Sequence, residues 1–158
     1  MRHFLRTDPA VEVFSGRLDG IQLKTALEQN LPAIRADGPL LRSVIINLID
    51  NAAEALERAL RKDIWVRTAF DGEHDVAEIT VADSGPGIAP EDKEKLFLPY
   101  FSTKQRGTGL GLAIVSRIVA EQKGIIRVEE NQPTGTKFII ELPVEHAPTA
   151  QEQEGRRQ

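Results

Sequence analysis

Asn47 and Asn51 stand four residues apart in an apolar-periodic segment and share a stripe with Glu54 and Arg58, about 130° from the apolar one. Asn forms helices poorly, so Lys, Glu or Arg is the commoner choice beside a core face. Two solvated asparagines would satisfy the pattern. So would an amide oxygen, hard and neutral, ligating Mg²⁺ whose other ligands are phosphate oxygens and water. A second constellation, Asp83-Ser84-Gly85-Pro86-Gly87-Ile88, follows a strand pattern in which Ala77, Ile79 and Val81 share one face, and Asp83 continues that face. Asp-Ser-Gly readily makes an Asx turn. The alternative is a carboxylate at the edge of the core that accepts from the exocyclic amine of a planar ligand, with glycines that let backbone approach the ring.

Gly107-Thr108-Gly109-Leu110-Gly111-Leu112 runs into a helical pattern, where N–H groups and the positive end of the helix dipole converge on a place for an anion. No strand immediately precedes it and no parallel βαβ unit follows, so it is not a dinucleotide-binding fingerprint. It lacks the Gly-Lys-Ser/Thr of a P-loop. Lys104 and Arg106 just before it add donors for phosphate, or are simply solvated.

These groups need elements to hold them. Asp8 and Pro9 open a short helix that ends near Gly16 to Gly20. Ile21 to Leu27 alternates as a strand. Asp37-Gly38-Pro39 opens the clearest helix, about Pro39 to Leu60, with Leu41, Val44, Ile45, Leu48, Ala52, Leu56 and Ala59 on one stripe. Ile64 to Phe70 and Val76 to Asp83 form a hairpin around Asp71 to Asp75. Ser84 to Thr108 is irregular apart from a short helix near Pro90 to Phe97, and an irregular stretch this long in a compact domain is usually a functional loop or lid. Leu110 to Lys123 is a helix with Leu110, Ile114, Ile118 and Val119 on one side and Gly124 as its stop. Ile125 to Glu130 and Thr136 to Leu142 are strands, and Val144 to Gln158 has no pattern and reads as a disordered tail. The order predicts an α/β (α+β) two-layer sandwich, with about three main helices on one face of a mixed, mostly antiparallel sheet of about five strands.

Composition narrows the function. Twenty Lys and Arg against twenty-four Asp and Glu give a net charge of -4 over 158 residues, with no long basic block, which argues against nucleic acid as a partner. There is no cysteine, and His3, His74 and His146 lie too far apart for a metal cluster. No apolar run is long enough to span a membrane and no signal-peptide core opens the chain, so a cytoplasmic location without membrane contact is expected.

In this order the motifs Asn47-Leu-Ile-Asp-Asn51-Ala-Ala-Glu-Ala55, Asp83-Ser-Gly-Pro-Gly-Ile88, Phe97-Leu-Pro-Tyr-Phe-Ser-Thr-Lys104 and Gly107-Thr-Gly-Leu-Gly-Leu112 resemble the N, G1, F and G2 boxes of sensor histidine kinases. Pro133-Thr-Gly-Thr-Lys-Phe138 is similar to the last hairpin of that family, and the spellings Asn51-Ala-Ala-Glu-Ala55 and Phe101-Ser-Thr-Lys104 resemble its nitrogen-regulation branch. The resemblance covers about Leu18 to Pro143. It implies the ATP-binding catalytic domain, a Bergerat fold with a flexible lid over the nucleotide. The chain then divides into a linker remnant (1–9), the catalytic domain (10–143) and the tail (144–158).

Carried over by position, Asn51 would hold Mg²⁺ with Asn47 near it, and Asp83 would bind the adenine amine, helped by Gly85, Gly87 and Ile88. Gly107, Thr108, Gly109, Leu110, Gly111 and Leu112 would line the phosphates, and Thr136 would reach the adenine edge. Phe97 and Phe101 would anchor the lid, or simply pack. Where the family often carries Lys, this chain has Glu54, and Lys104 or Arg106 would supply the charge. None of the three histidines lies in a long helix with an acidic residue next to it, so the phosphoacceptor histidine is expected on a dimerisation domain outside this chain, with a response regulator downstream and the isolated domain monomeric. A stand-alone serine kinase of the anti-sigma type shares fold and length, but carries Glu where Asn47 stands, and an amide cannot act as a general base. A non-catalytic nucleotide-dependent binding module is the third reading.

Overall fold

The computed structural model describes residues 20–101 and 111–146. The helix expected at Asp8, the loop residues Lys104, Arg106, Gly107, Thr108, Gly109 and Leu110, and the chain from 147 onward lie outside the described residues. The elements are β1 (Gln22–Ala26), α1 (Gly38–Ala55), β2 (Asp63–Asp71), β3 (Val76–Asp83), α2 (Pro90–Lys93), α3 (Gly111–Glu121), β4 (Ile125–Glu130) and β5 (Thr136–Pro143). The five strands form one sheet in the order β1-β2-β3-β5-β4. Only the β1–β2 pair is parallel, with Leu23 opposite Ile64, and the other three pairs are antiparallel. This is the mixed, mostly antiparallel sheet expected, in an open α/β fold.

The helix α1 starts where Asp37 stops being extended: its side chain accepts from Leu40 N–H at 3.1 Å, and Pro39 sits in the first turn, where no N–H is needed. Its apolar stripe, Leu41, Val44, Ile45, Leu48, Ile49 and Ala52, is buried, and in β3 and β5 the residues Ala77, Ile79, Val81, Phe138, Ile140 and Leu142 belong to the same core. α3 runs back against α1: Gln122, just past its end, accepts from Asp37 N–H at 2.8 Å.

Several boundaries differ from the sequence reading. α1 ends at Ala55 rather than Leu60, because Leu56 and Glu57 N–H turn to carbonyls three residues back (3.2 and 3.3 Å) while Leu56 stays wholly buried. The apolar period runs on past the end of the helix, so Arg58 does not share a helical stripe with Asn47 and Asn51, and Leu60 is fully exposed. Near Pro90 only one short helical segment forms, Pro90–Lys93, followed by turns. α3 buries Val115 and Val119 with Ile118 beside them, whereas Ile114 faces out, so the stripe is rotated from the expected one. Past the end of α3, Lys123 takes the left-handed conformation (φ 59°), and Gly124 is required for space: a Cβ there would lie 2.7 Å from Glu141 O. Val144 to His146, expected to begin a disordered tail, are instead tied down, with Val144 N–H to Asp75 O and Glu145 N–H to Ala33 O.

The other face of the sheet carries charge. Arg127 pairs with Glu129, Glu78 and Glu141, and Trp65 lies between Lys24 (5.4 Å) and Arg61 (5.5 Å). Both cations also pair with Asp63, and the Arg61 guanidinium beside it holds that carboxyl below its ordinary range.

Candidate functional site

Along α1, Asn47, Asn51 and Ala55 fall at i, i+4 and i+8 on one stripe, spanning about 12 Å of helix axis. Each end of that stripe meets a different motif. At one end, Asn47 Nδ2 donates to Gly111 O at 3.5 Å, and a Cβ on Gly111 would lie 3.0 Å from Asn47 Oδ1, so the start of α3 rests on this amide. Asn51 Nδ2 donates to Asn47 Oδ1 at 3.4 Å, which sets the second amide against the first. At the other end, a Cβ on Gly85 would come within 3.2 Å of Ala55 O and 2.9 Å of Asp83 Oδ1. Ala55 Cβ would be 3.3 Å away as well, so no side chain larger than hydrogen fits without displacing its neighbours.

Asp83 ends β3 and is buried, as the alternation of Ala77, Ile79 and Val81 requires. Its Oδ1 accepts from Gly85 N–H at 2.8 Å and from Thr136 N–H at 3.3 Å. Burial pushes its carboxyl above the ordinary value, and the two backbone donors pull it partly back. The Asx turn expected as the bland alternative is therefore present, and the same carboxylate keeps lone pairs beyond the two it uses for backbone. Ser84 fixes the next residue: its hydroxyl donates to Arg61 O (2.8 Å) and accepts from Asp63 N–H (2.9 Å).

Among the other residues singled out in the sequence, Ile88 and Leu112 are half-buried and pack on the core. Gly87 has φ +81°, a conformation glycine takes without strain. Thr136 is buried beside Asp83. Phe97 packs edge-on against Phe138 at 6.3 Å, and Phe101 also rests on the core. Glu54 is exposed, one turn beyond Asn51.

Three residues of the β4–β5 turn belong to this site and are missed by sequence reasoning. Asn131 Nδ2 donates to Asp83 O at 2.8 Å, and Thr134 Oγ1 to Gly85 O at 2.9 Å. Gly135, at φ +113°, lies so close that a Cβ would fall 1.9 Å from Asp83 O. The spelling Thr134-Gly135-Thr136 was the available signal, but the partners lie 48 to 53 residues away in sequence. Among the described residues, no group of three or more His, Asp or Glu could hold a metal, and no helix is long and apolar enough to cross a membrane.

Residues 36–146 match the family described as histidine kinase-, DNA gyrase B- and HSP90-like ATPase. The chain is 44% identical over 124 residues to the sensor histidine kinase ZraS of Salmonella typhi, covering 78% of this chain and 26% of that protein. It is 41% identical over 133 residues to the C4-dicarboxylate transport sensor protein DctB of Rhizobium meliloti (strain 1021), covering 82% and 20%. It thus spans about a quarter or less of the length of these relatives. The fold superposes on the nucleotide-free catalytic domain of the histidine kinase ThkA with a TM-score of 0.73 and 33% identity, covering 85% of this chain and 89% of that one. It also superposes on full-length ShkA in complex with AMPPNP, with a TM-score of 0.77 and 32% identity, covering 92% and 30%.

Proposed function

The chain belongs to the histidine kinase-, DNA gyrase B- and HSP90-like ATPase family, as an ATP-binding catalytic domain of the sensor histidine kinase kind, and from that premise we propose that it binds Mg²⁺-ATP and donates the γ-phosphoryl group to a histidine on a separate dimerisation domain. The observation that carries this reading is the Asn47–Asn51–Ala55 stripe, which meets the start of α3 at one end and Gly85, beside the buried Asp83 carboxylate, at the other. Asp83 accepts from the adenine amine, with Gly85, Gly87 and Ile88 around the ring and Thr136 at its edge. The phosphates lie toward Gly107, Thr108, Gly109, Leu110, Gly111 and Leu112, where backbone N–H groups at a helix start favour anions, and Lys104 and Arg106 add positive charge.

With no group of three or more His, Asp or Glu among the described residues able to hold a metal, a metal here would take most of its ligands from phosphate and water, which suits the neutral amide of Asn51, held by its neighbour Asn47. Bound Mg²⁺ neutralises phosphate charge and aligns the transferring group. The protein's own part is positioning, since Asn47 has no basicity with which to activate an acceptor hydroxyl or water. The acceptor histidine and its activation come from the dimerisation domain, and a response regulator takes the phosphoryl group onward. The domain acts in the cytoplasm as a monomer, without nucleic acid. The spellings at Asn51 to Ala55 and Phe101 to Lys104 favour the nitrogen-regulation branch.

Mixing the chain with labelled ATP, with and without a histidine-bearing dimerisation domain of a related kinase, tests the proposal. Acid-labile phosphate on the added domain, and none without it, is the expected result. Acid-stable phosphate on a serine substrate would favour the anti-sigma type of kinase. Nucleotide binding without transfer to any acceptor would favour a binding module.

A further inference from the structure

We propose that the β4–β5 turn, through the side chains of Asn131 and Thr134, positions the Asp83 carboxylate and so helps to set which nucleobase the pocket accepts. The proposal rests on the reading of Asp83 as the base-recognition group. Asp83 pairs with Ile64 across β2, but the ladder with β5 stops at Ala82 opposite Lys137. On the β5 side, the backbone from Asp83 to Gly85 is therefore held by something other than strand pairing. Asn131 takes the Asp83 carbonyl at 2.8 Å and Thr134 takes the Gly85 carbonyl at 2.9 Å, so the carbonyls on both sides of Ser84 are fixed from one turn. The turn is itself closed by Asn131 N–H to Gly135 O at 3.0 Å.

Turning the chain from β4 to β5 requires neither of these side-chain bonds. Their effect falls on the direction of the Asp83 side chain, whose Oδ1 already accepts from Gly85 N–H and Thr136 N–H. If Gly85 shifts, that oxygen loses the shorter of its two donors, and the carboxylate, held only by the longer bond from Thr136 N–H, can turn. A carboxylate free to turn still attracts donors but no longer points at one fixed amine, so it favours adenine over guanine less.

The test is calorimetry of the whole chain with Mg²⁺-ATP and Mg²⁺-GTP for the wild type, Asn131→Ala, Thr134→Val, Thr134→Ser and Asp83→Asn. Losing a neutral hydrogen bond should reduce the ATP-to-GTP affinity ratio about three-fold or more in Asn131→Ala and Thr134→Val, while Thr134→Ser, which keeps the hydroxyl, stays near wild type. A merely structural turn would lower stability and leave the ratio alone. Partial unfolding reduces both apparent affinities by the same factor, so the ratio reports positioning even in a weakened variant. An unchanged ratio in both variants overturns the proposal while Asp83→Asn still loses ATP preference. If Asp83→Asn weakens the two nucleotides equally, the base-recognition reading fails and the positioning role falls with it.

Discussion

The carbonyl oxygen of Asp83 occupies the place where a side chain on Gly135 would begin, 1.9 Å from a Cβ built there. The β4–β5 turn can therefore lie against the end of β3 only with glycine at this point, and φ +113° makes the same demand on the backbone.

Gly135→Ala should destabilise the fold by at least about 2 kcal/mol, because both the backbone conformation and the contact must be relieved. Chemical denaturation of the two proteins measures it. A loss of only a few tenths of a kcal/mol would mean that the turn moves away from Asp83 freely.

Asp83→Asn should weaken ATP ten-fold or more and GTP less, since a hydrogen bond to a charged group contributes roughly 1.5 to 3 kcal/mol. The apo fold should respond in the opposite sense. The folded state holds the Asp83 proton more tightly than the unfolded chain, so the stability linked to this group is greatest at low pH and is lost as pH rises from the ordinary 3.8 through the raised value. Near neutral pH the amide still accepts from Gly85 and Thr136 N–H without burying a charge, and the variant should melt no lower than wild type. A lower melting point together with unchanged nucleotide affinity would contradict both expectations.

The pair His74 and Asp71, 2.7 Å apart at the hairpin tip, gives a second pH dependence of known sign. The hydrogen bond to Asp71 raises the His74 pKa from its ordinary 6.5, with Glu141 and Glu78 adding to it. The histidine's share of this stability is complete below the unfolded histidine value and lost as pH rises through the folded one, while the lowered Asp71 carboxyl loses its share only at acid pH. His74→Gln should flatten the urea-midpoint profile on the alkaline side of the ordinary histidine value of 6.5. A profile identical to wild type would show that the exposed pair contributes nothing.

The core side of α1 and the placement of Asp83 are legible in the sequence because each rests on one local period: Leu41, Val44, Ile45, Leu48 and Ala52 at helical spacing, and Ala77, Ile79, Val81 and Asp83 at strand spacing. The end of α1 is not, because Leu56 remains buried after the helix has stopped, and burial alone extends the apparent period. The spelling around Thr134 and Gly135 marks a turn, but what Asn131, Thr134 and Gly135 touch is hidden, since it depends on that turn meeting the end of β3 across the sheet, 48 or more residues away. The parallel pairing of β1 likewise depends on what lies between it and β2, with most of that strand exposed at the sheet edge.

Asn51 allows function and stability to be separated on one residue. Its amide donates to Asn47 at 3.4 Å, a long hydrogen bond, and its side chain is only half-buried. Ala is the better helix former by up to about 0.7 kcal/mol, so Asn51→Ala should leave α1 and the thermal midpoint unchanged or slightly raised. If the amide oxygen of Asn51 completes a metal's shell, the variant should lose the part of ATP affinity that depends on Mg²⁺ and keep the part measured in EDTA. Asn51→Asp, which offers a carboxylate to the metal but repels phosphate, should keep a Mg²⁺ response while weakening binding in EDTA. Titrations of each protein with ATP, with and without Mg²⁺, measure both effects. Equal losses in the two conditions for Asn51→Ala would place Asn51 against the nucleotide itself rather than against the metal.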